Sequence, residues 1–128
     1  MQLTEHRHER ELFVRYADAA KVVVVDRELR SSLVLTVDRV IENISARNSN
    51  ELDAGLVARV LELGAEVVLL GTGARAIFPP QIVLAEFLKL GVGLETMDSA
   101  AAARTFNVLA GEGRKVAAIF LIDAPQST

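Results

Sequence analysis

The chain has no cysteine and no tryptophan, and only two histidines and three prolines among its 128 residues. Without cysteine it can form no disulfide, no zinc–thiolate centre and no thiol nucleophile. The histidines, His6 and His8, sit together near the start of the chain. Two residues apart in a strand would share a face and could hold a metal, but no third histidine completes a site. Histidine acid–base chemistry and a Ser-His-Asp triad would have to draw on this one stretch. A basic excess is also missing: 14 Lys and Arg stand against 17 Asp and Glu, for a net charge of −3. That balance speaks against a nucleic-acid partner. The longest apolar run, Val116 to Ile122, is seven residues, against the roughly 20 a membrane helix needs, so no membrane insertion is expected. The polar, mixed-charge stretch at residues 1–11 has no apolar targeting core and reads as a flexible tail. A reducing cytoplasm is the expected location.

What is present is 51% hydrophobic and 24% charged. That is too apolar for a disordered chain and the right size for one core. We expect a single α/β domain over residues 12–122, followed by a short C-terminal tail at 123–128. Glu66–Gly71, Val92–Met97 and Lys115–Ile122 read as strands, the first and last apolar enough to be buried on both faces. Helical spacing runs from Leu52 to Leu63, with Ser49 or Asn50 as N-cap and Gly64 as stop. A second helix is expected from Pro79-Pro80 to Gly91, and a third from Asp98 or Ser99 to Gly111. Earlier, Leu12–Tyr16, Lys21–Val25 and Ser32–Val37 read as strands, with a further short one near Ile44. Asp26–Ser31 and Arg47-Asn48-Ser49-Asn50 read as connectors. Strands alternating with helices imply a largely parallel sheet covered by helices, with the opening strands as a small meander.

Few residues carry obvious chemistry. Gly71-Thr72-Gly73-Ala74-Arg75-Ala76 follows a strand and fits the dinucleotide pattern G-x-G-x-x-G/A, with Glu95 and Asp98 further on. The pattern needs a helix opening inside it, yet Ile77-Phe78-Pro79-Pro80 follows, and a residue before proline is biased away from helix. A structural turn is the simpler reading. Arg104 and Asn107 share a helix face and, with Arg75, could line an anion pocket. Alternatively Asn107 bonds a neighbouring backbone, and Arg104 or Arg114 pairs with Glu112. Asp98 reads as an N-cap and Met97 as core.

Taken together, Leu69-Leu70-Gly71-Thr72-Gly73, Pro79-Pro80, Glu95-Thr96-Met97-Asp98-Ser99 and Ala103-Arg104-Thr105-Phe106-Asn107-Val108-Leu109 with Glu112 and Arg114 resemble a widespread family of small domains of unknown function. That family includes the third assembly factor of mitochondrial respiratory complex I and an adipogenesis-associated human protein. The resemblance runs from about Leu12 to Ile122. It implies a three-layer α/β fold with a central mixed, mostly parallel sheet in which one strand runs antiparallel. It implies that Gly71-Thr72-Gly73 belongs to the fold, and that Gly71, Glu112 and Arg114 hold motif positions of a structural or site role. It brings no catalytic activity; the roles it implies are assembly and interaction.

Three functions therefore compete. The expected one is a non-catalytic interaction or assembly module with a protein partner, compatible with a homo-oligomer. The alternative is a small anionic ligand bound near the Gly-Thr-Gly turn by Thr72, Gly73, Arg75, Arg104 and Asn107. An enzyme using Glu95 or Glu112 as base is the third. The sequence points to no catalytic residue, no metal and no cofactor.

Overall fold

The computed structural model describes residues 4–7 and 11–123. The chain runs through β1 (Thr4–Arg7), β2 (Val14–Ala17), β3 (Val22–Val24), β4 (Arg27–Leu29), β5 (Leu33–Thr36) and β6 (Arg39–Glu42). It continues with a 3-10 turn at Ser49–Glu51, α1 (Ala54–Leu61), β7 (Val67–Gly71), α2 (Gln81–Lys89), β8 (Gly93–Met97), α3 (Ser99–Gly111) and β9 (Val116–Phe120). Six strands form one sheet in the order β1-β6-β5-β9-β7-β8, and β2-β3-β4 form a separate antiparallel meander.

The large sheet is mixed, but its pairings are not mostly parallel as expected. Only β9–β7 and β7–β8 pair in parallel; β1–β6, β6–β5 and β5–β9 are antiparallel. The tight β5–β6 hairpin accounts for one antiparallel pair, and β1 and β9 add the other two from the ends of the chain's strand order. Two strands of the six, β5 and the edge strand β1, run against the other four, where the resemblance implied one. Two further elements depart from expectation. Thr4–Arg7, read as tail, forms an edge strand on β6. Arg27–Leu29, read as connector, is the last strand of the meander.

Alternation along the sheet builds two cores. Leu33, Leu35, Val40, Val67, Leu69, Ala118 and Phe120 face α3 and the meander, where Phe106, Val22 and Val24 meet them. Val34, Ile41, Val68, Leu70, Ala117 and Ile119 face α1 and α2, where Val57, Val60, Val83 and Phe87 close the other side. The result is three layers, since both faces of these strands are buried.

Local chemistry explains the helix ends. Asp53 caps α1, its carboxylate accepting the Leu56 N–H at 2.8 Å. Ser49 and Asn50, the expected caps, lie instead in the 3-10 turn before it. Asp98 caps α3 as expected, accepting the Ala101 N–H at 2.8 Å. Pro80 opens α2, where the missing N–H costs nothing.

Candidate functional site

The parallel strands decide where a site would form. From β7 the chain crosses through α2 on one face to β8, then returns through α3 on the other face to β9, on the opposite side of β7. Connections that diverge this way leave a crevice at the strands' carboxyl ends, the usual ligand position of open α/β sheets. A depression of about 140 Å³ lies there, lined by Thr72, Gly73 and Ala74 after β7, Leu121 and Asp123 after β9, and Arg47, Asn48 and Ser49 before α1.

Its polar groups are largely engaged. Gly73, at φ +90°, adopts a conformation glycine reaches without steric cost. Its N–H donates to the Ser99 hydroxyl at 2.8 Å, and its carbonyl accepts the Ser99 N–H at 2.9 Å. The Thr72 hydroxyl donates to the Arg75 carbonyl and accepts the Ile77 N–H at 2.9 Å. The Ser49 hydroxyl donates to the Ile77 carbonyl at 2.7 Å. Arg47, the cation at the rim, stands 3.3 Å from the Asp123 carboxylate. Gly71 is held by contact: a Cβ there would lie 3.1 Å from the Ala102 Cβ and 3.2 Å from the Ser99 Cα. The helix after the motif begins only at Gln81. The glycines thus shape a turn tied to the start of α3, whose Ser99 N–H and hydroxyl are taken up by Gly73 itself, and the helix that follows the motif does not open inside it as the dinucleotide pattern requires.

The five proposed ligand residues do not converge. Thr72 and Gly73 line the crevice. Arg104 and Asn107 line a second depression, of about 330 Å³, between α3 and β2. Arg75 lines neither and is exposed. Asn107 is occupied by the backbone of Val14: its Oδ1 accepts the Val14 N–H at 2.9 Å and its Nδ2 donates to the Val14 carbonyl at 2.8 Å. Arg114 pairs with Glu66 at 3.1 Å and not with Glu112. The cause is position: Glu66 immediately precedes β7, next to the entry of β9, where the Glu66 N–H already donates to the Lys115 carbonyl at 2.9 Å. Glu95 and Glu112 are exposed and line neither depression. His6 lies in the backbone of β1, opposite Val40; His8 lies outside the described residues.

Sequence reasoning missed Ser99 and the Arg47–Asp123 pair. Ser99 follows the helix cap directly, where a buried hydroxyl has a free lone pair to offer a neighbouring loop. Arg47 and Asp123 are far apart in the chain and carried no local signal.

Residues 14–121 match a protein family of unknown function, DUF498/DUF598. The chain belongs to that family. A Xanthomonas campestris protein solved by NMR shares its fold with a TM-score of 0.85 at 38% identity, covering 94% of this chain and 91% of that one. A "13 kDa major membrane protein" of Francisella tularensis is 25% identical over 127 residues, 94% of this chain and 99% of that protein. The zebrafish "NADH dehydrogenase (ubiquinone) 1 alpha subcomplex assembly factor 3" is 35% identical over 83 residues, 65% of this chain and 47% of that protein. This DUF498/DUF598 chain therefore spans about half of the zebrafish relative. No helix among its described residues is long and apolar enough to cross a membrane.

Proposed function

We propose that this chain is a non-catalytic protein-interaction module that docks through α2 and the loop before it. The observation that carries this is where the exposed apolar surface lies. Of eight large hydrophobic residues left exposed among the described residues, five fall within residues 77–90: Ile77, Phe78, Ile82, Leu88 and Leu90. Scattered singly, such residues need no explanation. Here Phe78 and Ile82 are 71% and 73% exposed, and Ile82 walls a groove of about 120 Å³ whose floor is Leu52, Val57 and Val83. Exposed aromatic and aliphatic anchors beside a pocket are what protein interfaces bury at their centre. The zebrafish relative's name as an assembly factor supports the same reading. A cytoplasmic location and the absence of a nucleic-acid partner belong to this proposal, supported by the lack of cysteine and the net charge of −3.

A photo-crosslinking side chain at Phe78, compared with one at Glu112, tests it in the native host. A discrete partner captured from Phe78 alone, and lost in Ile82→Lys, is the expected result. Ile82→Lys should change stability by no more than about 0.5 kcal/mol. The same proteins captured from both positions, or capture unchanged by Ile82→Lys, would refute the docking face.

A second reading, a small anionic ligand, attaches to the depression between α3 and β2. Arg15 and Arg104 line it, and neither has an ion-pair partner among the described residues. Titration with phosphate and citrate, read at the Arg104 side chain, tests this reading. No shift at millimolar ligand would count decisively against it.

A further inference from the structure

The turn between β3 and β4 puts a strained valine on the wall of a cavity. Val24 pairs with Arg27, so Val25 and Asp26 alone form the hairpin turn. Val25 has φ +55°, and Asp26 is not among the positive-φ residues. A two-residue hairpin turn with one left-handed residue at its first position ordinarily takes glycine there. For a β-branched residue the conformation is a genuine outlier. Strain of this kind persists only where the surroundings impose it, and it clusters at ligand clamps. Here the Val25 N–H donates to the Phe13 carbonyl at 3.0 Å, and the half-buried side chain lines a cavity of about 360 Å³. Glycine would relieve the strain but delete that wall.

The cavity lies between the segment leading into β2, the β3–β4 turn and β6. Its floor is Leu12, Val24, Leu29 and Val40, all buried. Its volume falls within the range of small-molecule sites, roughly 300–1,000 Å³. Three charges among the described residues stand at the rim: Glu11, Asp26 and Arg27. The Arg27 guanidinium is 2.7 Å from the Glu42 carboxylate, so its charge is already countered. Glu11 and Asp26 are exposed and have no ion-pair partner among the described residues. An apolar floor under two carboxylates, Glu11 and Asp26, selects a ligand with an apolar body and a cationic head.

We infer that this cavity binds a small amphiphilic amine, its hydrocarbon on Leu12, Val24, Val25, Leu29 and Val40 and its ammonium beside Glu11 and Asp26. The site is separate from the α2 docking face, so either can fail alone.

The test uses the full chain with labelled methyl groups and three probes of one hydrocarbon body: 4-phenylbutylamine, 4-phenylbutanol and 4-phenylbutanoate. Methyl resonances of Leu12, Val24, Val25, Leu29 and Val40 should shift together. The amine should bind about 3- to 10-fold more tightly than the carboxylate, the modest preference that exposed charges supply. Glu11→Gln with Asp26→Asn should erase that preference and leave phenylbutanol binding unchanged. Val25→Gly should keep or raise the unfolding midpoint while weakening all three probes at least about fivefold. Shifts mapping to another surface, equal affinity of the native chain for amine and carboxylate, or undiminished binding by Val25→Gly would each overturn the inference.

Discussion

Replacing Asn107 by alanine separates a fastening role from a ligand role at a residue that fits both in sequence. The Asn107 amide spans from α3 to β2 and satisfies both backbone groups of Val14, with contacts of 2.9 and 2.8 Å. Val14 is 4% exposed and sits where the β2–β3 register slips between Val14 and Tyr16. The slip matters because an irregular ladder leaves backbone groups that a side chain must satisfy. Alanine would strand one N–H and one carbonyl. An unsatisfied buried group costs about 1–3 kcal/mol, and each lost hydrogen bond to a partly wet site sits at the lower end. We therefore expect a loss of about 2–3 kcal/mol. For a domain of this size that is a fall in Tm of roughly 6–15 °C. Urea unfolding should show a lower midpoint with an unchanged slope, and amide exchange at Val14 should accelerate. Asn107→Asp keeps an acceptor for the N–H but sets a second oxygen against the Val14 carbonyl, so it should cost as much at neutral pH. A loss below about 0.5 kcal/mol, with Val14 exchange unchanged, would refute the fastening role and return Asn107 to the depression beside it as a ligand group.

Two further outcomes follow from the same geometry. Ser99→Ala removes the buried acceptor of the Gly73 N–H; it should cost about 1–3 kcal/mol, measured by urea unfolding, and raise exchange at Gly73. Asp18→Asn should flatten the acid limb of a stability-against-pH curve. The hydrogen bond from the Tyr16 hydroxyl, and after it the Ala20 N–H, hold the Asp18 carboxyl below its ordinary value. Its contribution is therefore present above the unfolded carboxylate pKa of about 3.9 and is lost as pH falls through the lower folded value. The native curve should fall more steeply than the variant's below that pH; parallel curves would contradict the assignment.

How much of this was legible depended on whether the determining contact was local. The β7-to-β9 half could be read because each strand is a short apolar run and each helix has its stop within a few residues. The Asp98 cap is equally local. The meander was harder. Arg27-Glu28-Leu29 buries only its leucine, so half an alternation was all the strand offered. Thr4–Arg7 has no apolar alternation, and it is placed by backbone pairing with β6. Nothing in Leu33–Thr36 announces that it runs against β9, because direction is set by a partner more than 80 residues away.

The same distinction explains the candidate site. Gly71-Thr72-Gly73 was legible as a turn after a buried strand, because Pro79 and Pro80 keep the helix away from it. What closes the turn is not local: Ser99 reaches Gly73 across 26 residues, and Ser49 reaches Ile77 across 28. Asn107 reaches Val14 across 93. These polar residues, which in sequence resemble binding groups, fasten loops and strands to α3 and to one another. Most of the exposed large apolar side chains among the described residues lie instead on α2 and its preceding loop, and a valine in a glycine conformation stands above an apolar cavity rimmed by Glu11 and Asp26. With Thr72, Ser99 and Asn107 engaged inside the fold, binding should be sought first at that apolar surface and at that cavity.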